Sequence, residues 1–405
     1  MTTKMRPFKE TIALDEARAI IEAAIRPIDR VERVLLSDAN GRVLAHDIVS
    51  SVDVPPFARA AMDGYAVRAE DTSRATRNDP RTLRCIEKVF TGQLPRQTVG
   101  PGQCTEIATG APMPVGADAV VMVEDTAESD GTVRVFAPVT ARQNIGRQGA
   151  DIQKGQLVLH KEAPLNASRI GALAALGLTD VDVFSKPRVA ILSTGNEIIE
   201  PGQPLAAGQI YDINRFTVAA VVQENGGIPV SFRTAADTFE DLSRAVDECL
   251  EHDVIVFSGG SSVGERDLIL DVMSAKGEML FHGIAVKPGK PTAFGRIAGK
   301  LVFGMPGYPT SCLSNSYILL APVLRRIARL PDQIVRAITI PLGARVVSVP
   351  GRHQFYPVRI EYGMAMPAFK ASGDITSLSR ADGYIEIPAD VTIVEEGAIV
   401  EVKLF

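Results

Sequence analysis

The sequence has little cysteine, little histidine and no surplus of positive charge, and each scarcity removes a class of function. Its four cysteines, Cys85, Cys104, Cys249 and Cys312, stand far apart and never form a CxxC pair. Neither a disulfide framework nor a thiolate zinc site is suggested, and they read as buried thiols. The five histidines, His46, His160, His252, His282 and His353, show no HxxxH or HxH spacing. A metal would therefore rest on oxygen ligands, which favours magnesium. With 43 Lys and Arg against 48 Asp and Glu, no excess of cations is available for a phosphate backbone, so a nucleic-acid partner is not expected. The opening MTTKMRPFKE lacks the apolar core of a signal peptide. No run approaches the ~18 consecutive apolar residues of a membrane span. The expectation is a cytoplasmic protein with no membrane partner.

What is present is a globular composition, 46% hydrophobic and 22% charged over 405 residues, with room for roughly two to four domains. Leu14, Ala17, Ile20, Ile21, Ala24 and Ile25 recur at three- and four-residue steps before Pro27, which predicts one amphipathic helix. From Val31 to about Gln148, short β-branched runs such as Ala119-Val120-Val121-Met122-Val123 alternate with glycine and proline. This stretch reads as mainly β. A small-residue helix follows over residues 168–176, stopped by Gly177.

From Lys186 to Leu330 strand, loop and helix alternate. The apolar runs 188–192, 254–257 and 301–303 each lead into a loop, as buried parallel strands do. Helices are predicted from Asn214 as N-cap to Glu224, after a Thr238/Asp241 capping box, over 268–275, and from Thr310 to Arg329. The repeated unit implies a parallel sheet with helices on both faces. Beyond Pro331, runs at 338–340, 346–349, 384–387 and 399–402 predict a small β-sandwich or barrel.

In an open α/β sheet, ligands sit beyond the carboxyl ends of the strands, where loops enter helices. Three loops at that edge have unusual chemistry. In Ser258-Gly259-Gly260-Ser261-Ser262-Val263-Gly264 the glycines let backbone N–H groups approach an anion closely. Glu265 stands where a Walker A loop needs lysine, and there is no GxGxxG. Lys287-Pro288-Gly289-Lys290-Pro291 carries two ammonium groups on a chain stiffened by prolines, which suits an oxyanion. Pro306-Gly307-Tyr308-Pro309 opens the same edge ahead of a helix. Each loop alone is also what a plain turn looks like, but their convergence points to a phosphorylated small molecule. Glu197, Asp212, Asp237 and Asp267 join them. Carboxylates beside a phosphate need Mg²⁺ between them, whereas Asp237 and Asp212 could equally be helix caps, the reading favoured for Asp212.

Taken in order, AMDGYA, ATGAPMPVGADAVV, ILSTGNE, SGGSSVG followed by Asp267, KPGKPTAFG and MPGYPTS resemble the molybdopterin molybdenumtransferase (MoeA) family, which includes the E domain of gephyrin. The resemblance implies a multi-domain α/β plus β fold. It divides the chain into an N-terminal helix (1–26) packing with the α/β domain and a small α+β part (27–47 and 149–184). The rest is an inserted, mainly β domain (48–148), an α/β molybdopterin-binding domain (185–330) and a C-terminal β domain (331–405). It also implies an elongated homodimer in which adenylylated molybdopterin is cleaved, AMP leaves and molybdate is inserted with Mg²⁺ present. An upstream adenylyl-transferring enzyme and molybdoenzyme clients would be the protein partners.

Carried over by motif, Asp63, Glu197, Asp237, Asp267, Lys287 and Lys290 would be catalytic, with Glu197 and Asp267 on the metal. Thr109, Asp151, Thr194, Gly195, Ser258, Gly259, Gly260, Ser261, Ser262, Gly264, Pro306, Gly307, Pro309 and Ser311 would bind the pterin substrate. The family cleft implies that Asp63 acts from the second subunit. The chain departs from the family pattern at Ala58-Arg59-Ala60 for Asp-Asn-Ser, GGSSVG for GGVSVG, PGYP for PGNP and in His282-Gly283-Ile284. Two alternatives accompany the resemblance: a paralogue handling tungstate or a related adenylylated pterin, and a non-enzymatic molybdopterin carrier or scaffold.

Overall fold

The computed structural model describes residues 11–232, 238–259 and 268–405. The chain divides into two compact units. One runs to Arg33 and takes in Gly41–Val43 and Asp182–Phe405; the other holds Val34–Asn40 and Leu44–Val181.

The first helix, α1 (Leu14–Ala24), buries Leu14, Ala17, Ile21 and Ala24, the apolar stripe that its spacing predicts. The second unit is built on strands β1 (Gly64–Val67), β2 (Arg81–Val89), β3 (Gln103–Ile107), β4 (Ala119–Met122), β5 (Thr126–Ser129) and β6 (Thr132–Val135). They form a six-stranded sheet in the order β4-β1-β3-β2-β6-β5, with β2 and β3 parallel and the other neighbours antiparallel. Tyr65, Val67, Leu83, Val121 and Val133 fill one of its cores. Helix α2 (Ala167–Ala175) is capped by Asn166, whose side chain accepts from Arg169 N, and Gly177 follows it with a left-handed φ of 78°.

The α/β part of the first unit contains β7 (Arg188–Ser193), α3 (Asn214–Glu224), β8 (Ile228–Ser231), α4 (Phe239–Cys249), β9 (Val254–Ser258), α5 (Leu268–Lys276), β10 (Gly277–His282), β11 (Ala293–Ile297) and β12 (Lys300–Met305). Helix α6 (Pro309–Asn315) continues through a π turn, Ser316–Leu320, into α7 (Ala321–Ile327). The π turn ends two residues before Pro322, which has no N–H to give an α-helical ladder. The sheet order is β8-β7-β9-β12-β11-β10. The first four strands are parallel, as the apolar runs predict, whereas β11 and β10 extend the sheet antiparallel.

Alternate residues of one strand serve opposite faces. Val189 and Ile191 pack with α1, α3 and α7, while Ala190 and Leu192 pack with α4 and α5. Burial on both sides explains why β7 and β9 read as continuous apolar runs.

The C-terminal part adds β13 (Ala337–Pro341), β14 (His353–Glu361), β15 (Met364–Pro367), β16 (Gly383–Ile387) and β17 (Ile399–Leu404). Its sheet runs β14-β16-β17-β13, with β15 on β14. The short segment Val286–Lys287 joins the free edge of β14 in parallel, pairing with His353 and Gln354. A core of Leu342, Val358, Ala365, Ile385, Ile387 and Val402 holds this part together.

Candidate active site

Three parallel strands end level with one another. Ser193 of β7 is the register partner of Ser258 of β9, and Ser258 is the partner of Met305 of β12. The loops that follow are therefore forced to the same edge, where they wall a cleft of about 1020 Å³. The first two are bound together at their roots. Thr194 N donates to Ser258 O at 3.0 Å, and the Ser193 and Ser258 hydroxyls lie 3.2 Å apart. Gly259 makes the close approach possible. Its φ is +108°, and a Cβ there would stand 2.4 Å from Thr194 O. Thr194 is buried in the wall, and its Oγ1 has no hydrogen-bond partner among the described residues. Such a hydroxyl is a ready contact for a ligand oxygen. Gly195, at φ +137°, lets the Glu197 carboxylate fold back over its Cα. Glu197 is exposed and lines the cleft.

The lysine loop forms another wall with Lys287, Pro288, Gly289 and Lys290. It is anchored from inside the core. Asn315 of α6 donates to Gly289 O at 2.9 Å and to Thr292 Oγ1, and Thr292 Oγ1 donates to the same carbonyl. Lys287 Nζ lies 5.8 Å from the centre of the Phe369 ring, a cation–π contact. Pro306, Gly307, Pro309 and the buried Ser311 line the same cleft.

Asp212 caps the start of α3 with its side chain, from the residue before the N-cap position Ile213: its Oδ1 accepts from Arg215 N at 3.0 Å. Asn214 is not the cap. It is the first helical residue, and its side chain instead donates to Gly307 O at 2.8 Å, pinning the Pro306–Pro309 loop. Arg352 and Ser372, from the C-terminal part, also line the cleft and lie in no motif that the sequence singles out. The loop carrying Ser372 is fastened to the start of α6, where Thr310 N donates to Ser372 O at 3.1 Å and Thr310 Oγ1 to Asp374 O at 2.9 Å. Among the described lining residues, Lys287, Lys290 and Arg352 face Glu197 and an Asp212 already engaged by Arg215. The balance favours an oxyanion.

Asp63 and Thr109 come together in the second unit, where Thr109 N donates to Asp63 Oδ1 at 2.7 Å. This backbone hydrogen bond, followed by one from the Thr109 side chain, holds the Asp63 carboxyl below its ordinary range. Asp151 is exposed on a separate loop whose backbone N–H bonds Val54 O. Asp237, Asp267, Gly260, Ser261, Ser262 and Gly264 lie outside the described residues. Within the described residues no three His, Cys, Asp or Glu side chains group as a metal site. None of the described helices is long and apolar enough to cross a membrane.

The chain matches the MoeA N-terminal region (domain I and II) over residues 12–177, a probable molybdopterin binding domain over 190–326 and the MoeA C-terminal region (domain IV) over 339–405. Molybdopterin molybdenumtransferase 2 of Mycobacterium tuberculosis is 36% identical to it, over 94% of this chain and 95% of the relative. The chain belongs to the MoeA family. A molybdopterin molybdenumtransferase of Haemophilus influenzae is 37% identical over 78% of each chain. Two crystal structures of molybdopterin biosynthesis MoeA proteins from Pyrococcus horikoshii superpose with TM-scores of 0.85 and 0.80, at 40% and 33% identity. They cover 98% of this chain and 99% and 100% of theirs. In family terms the strand-end loops and the lysine loop belong to the probable molybdopterin binding domain, while Arg352 and Ser372 come from the MoeA C-terminal region.

Proposed function

We propose that the protein is a molybdopterin molybdenumtransferase that takes adenylylated molybdopterin and molybdate, breaks the phosphoanhydride, releases AMP and leaves molybdenum on the pterin dithiolene. The observation that carries this reading is the cationic cleft. Lys287, Lys290 and Arg352 face a glycine-lined wall within a volume suited to a phosphorylated heteroaromatic ligand. The pterin phosphate would lie against Thr194, Gly195, Ser258, Gly259, Pro306, Gly307, Pro309 and Ser311. The lysines and Arg352 would hold molybdate and offset the negative charge that develops on departing AMP.

Glu197 fits a magnesium role, since the cleft offers an exposed carboxylate and neither thiolate nor imidazole among its described lining residues. Bound there with Asp267, Mg²⁺ would neutralise phosphate charge. Asp237 and Asp267 remain the proposed acids of the neighbouring loops. Asp63, with Thr109 and Asp151, is proposed to serve the cleft of a second copy in a homodimer, checked by light scattering and by mixing Asp63→Asn and Lys290→Ala chains. Recovery of one active cleft in the mixed dimer would support it, and no recovery would refute it.

The deciding assay supplies adenylylated molybdopterin, Mg²⁺ and either molybdate or tungstate. AMP release and active cofactor with molybdate are expected. No AMP with either oxyanion would overturn the reading, and release with tungstate alone would transfer it to tungsten insertion.

A further inference from the structure

Tyr308 is the residue at which this chain replaces the small polar side chain of the PGNP pattern. It lines the cleft, yet 67% of its surface is exposed. An aromatic ring this exposed contributes little burial to folding and keeps most of its surface available to cover a ligand. Its backbone, by contrast, is fixed from both sides. Asn214 holds Gly307 O, Pro309 follows, and Tyr308 O accepts from Cys312 N at 2.9 Å. The ring passes close to Gly373, where a Cβ would stand 3.7 Å from its Cδ1 and 4.0 Å from its Cε1, and that glycine is itself held by the Ser372 and Asp374 contacts to Thr310. The ring is thus an anchored flat surface whose remaining freedom is two side-chain torsions, so little entropy opposes stacking.

The geometry points to Tyr308 as a specificity residue: a stacking platform for a planar heteroaromatic ring of the ligand held by the cationic cleft. This rests on the proposed reaction, whose substrate carries two such rings, the pterin and the adenine. Stacking of a base on an aromatic side chain is worth on the order of fivefold to a hundredfold in affinity. The hydroxyl is not required, so phenylalanine serves as well as tyrosine.

The test separates ring recognition from phosphate recognition. Calorimetric affinities are measured for AMP against ribose 5-phosphate, and for 6-hydroxymethylpterin phosphate against methyl phosphate. The chains compared are wild type, Tyr308→Phe and Tyr308→Leu. The expected result is that Leu lowers the ring-bearing to ring-less preference at least fivefold for one pair while Phe stays within twofold. The pair affected identifies the ring as purine or pterin. Unchanged preferences in Leu for both pairs, or a loss in Phe equal to that in Leu, would overturn the platform. AMP release by the wild-type preparation is assayed alongside. Its failure with the ring preference intact refutes the reaction alone, and unchanged ring preferences with normal release refute the platform alone.

Discussion

Arg352 is a planar, permanently charged fork, suited to a tetrahedral oxyanion in a way that a lysine is not. Arg352→Ala is expected to lower AMP release about tenfold to a hundredfold, with Arg352→Lys recovering only part of it, read from kcat/KM at fixed molybdate. The neighbouring His353 belongs to a separate charge cluster. Its Nε2 lies 3.2 Å from Glu386 Oε2, and Lys403 Nζ lies 2.7 Å from Glu386 Oε1. The hydrogen bond to His353 is the main force holding the Glu386 carboxyl at about 2 against an ordinary 4.5, with burial opposing it. A carboxyl lowered on folding contributes stability that is fully present above about 4.5 and is lost as the pH falls towards 2. Glu386→Gln should therefore cost about 1–3 kcal/mol at pH 7, after allowance for solvent screening of a partly exposed pair. The gap from wild type should narrow between pH 4.5 and 2 in urea unfolding, and a constant gap would contradict the assignment.

Among the elements, those legible in the sequence were the ones whose period or apolar run reports burial directly. The α1 stripe, β7, β9 and the Thr238 cap of α4, whose Oγ1 accepts from Asp241 N, stand where the pattern puts them. Among the strands that escaped, three did so for identifiable reasons. β10 begins at Gly277 with no turn after Lys276, the last residue of α5. β11 carries Gly295 at its centre, where a Cβ would meet Glu278 O at 2.3 Å, so the residue that permits the pairing also weakens the strand signal. β14, nine residues long, carries Pro357, a residue that argues against a strand when read from sequence. Of the cleft, the glycine and lysine loops were visible because their residue types are unusual. Arg352 and Ser372 were not, because nothing local marks an arginine or a serine in a loop that tertiary packing brings to the cleft. The junction of β7 and β9 gives an element-scale test. Gly259→Ala forces a Cβ against Thr194 O in a left-handed conformation and should cost about 1–3 kcal/mol in strain alone. Melting temperature and phosphate-ligand affinity should fall together; a fall in affinity with an unchanged melting temperature would count against the close approach.

For the whole molecule, the division into two units makes a separable prediction. Leu83 is buried in the β1–β6 core of the second unit, whereas every described residue lining the cleft belongs to the first. Leu83→Ala should destabilise its own unit by about 2–5 kcal/mol and leave AMP affinity within twofold of wild type, measured by hydrogen exchange and calorimetry.

The ladder between Val286–Lys287 and His353–Gln354 bears on how a smaller version of this protein would have to be engineered. Sequence texture suggests cutting near position 330 to obtain a minimal ligand-binding domain. Such a cut would strip the lysine loop of the strand that aligns it, of the Phe369 ring beneath Lys287 and of Arg352. The excised domain would keep its sheet and lose the posture of its charges. The C-terminal part therefore works as a fixture for the lysine loop, and a change at the edge of β14 would displace Lys287 without touching it.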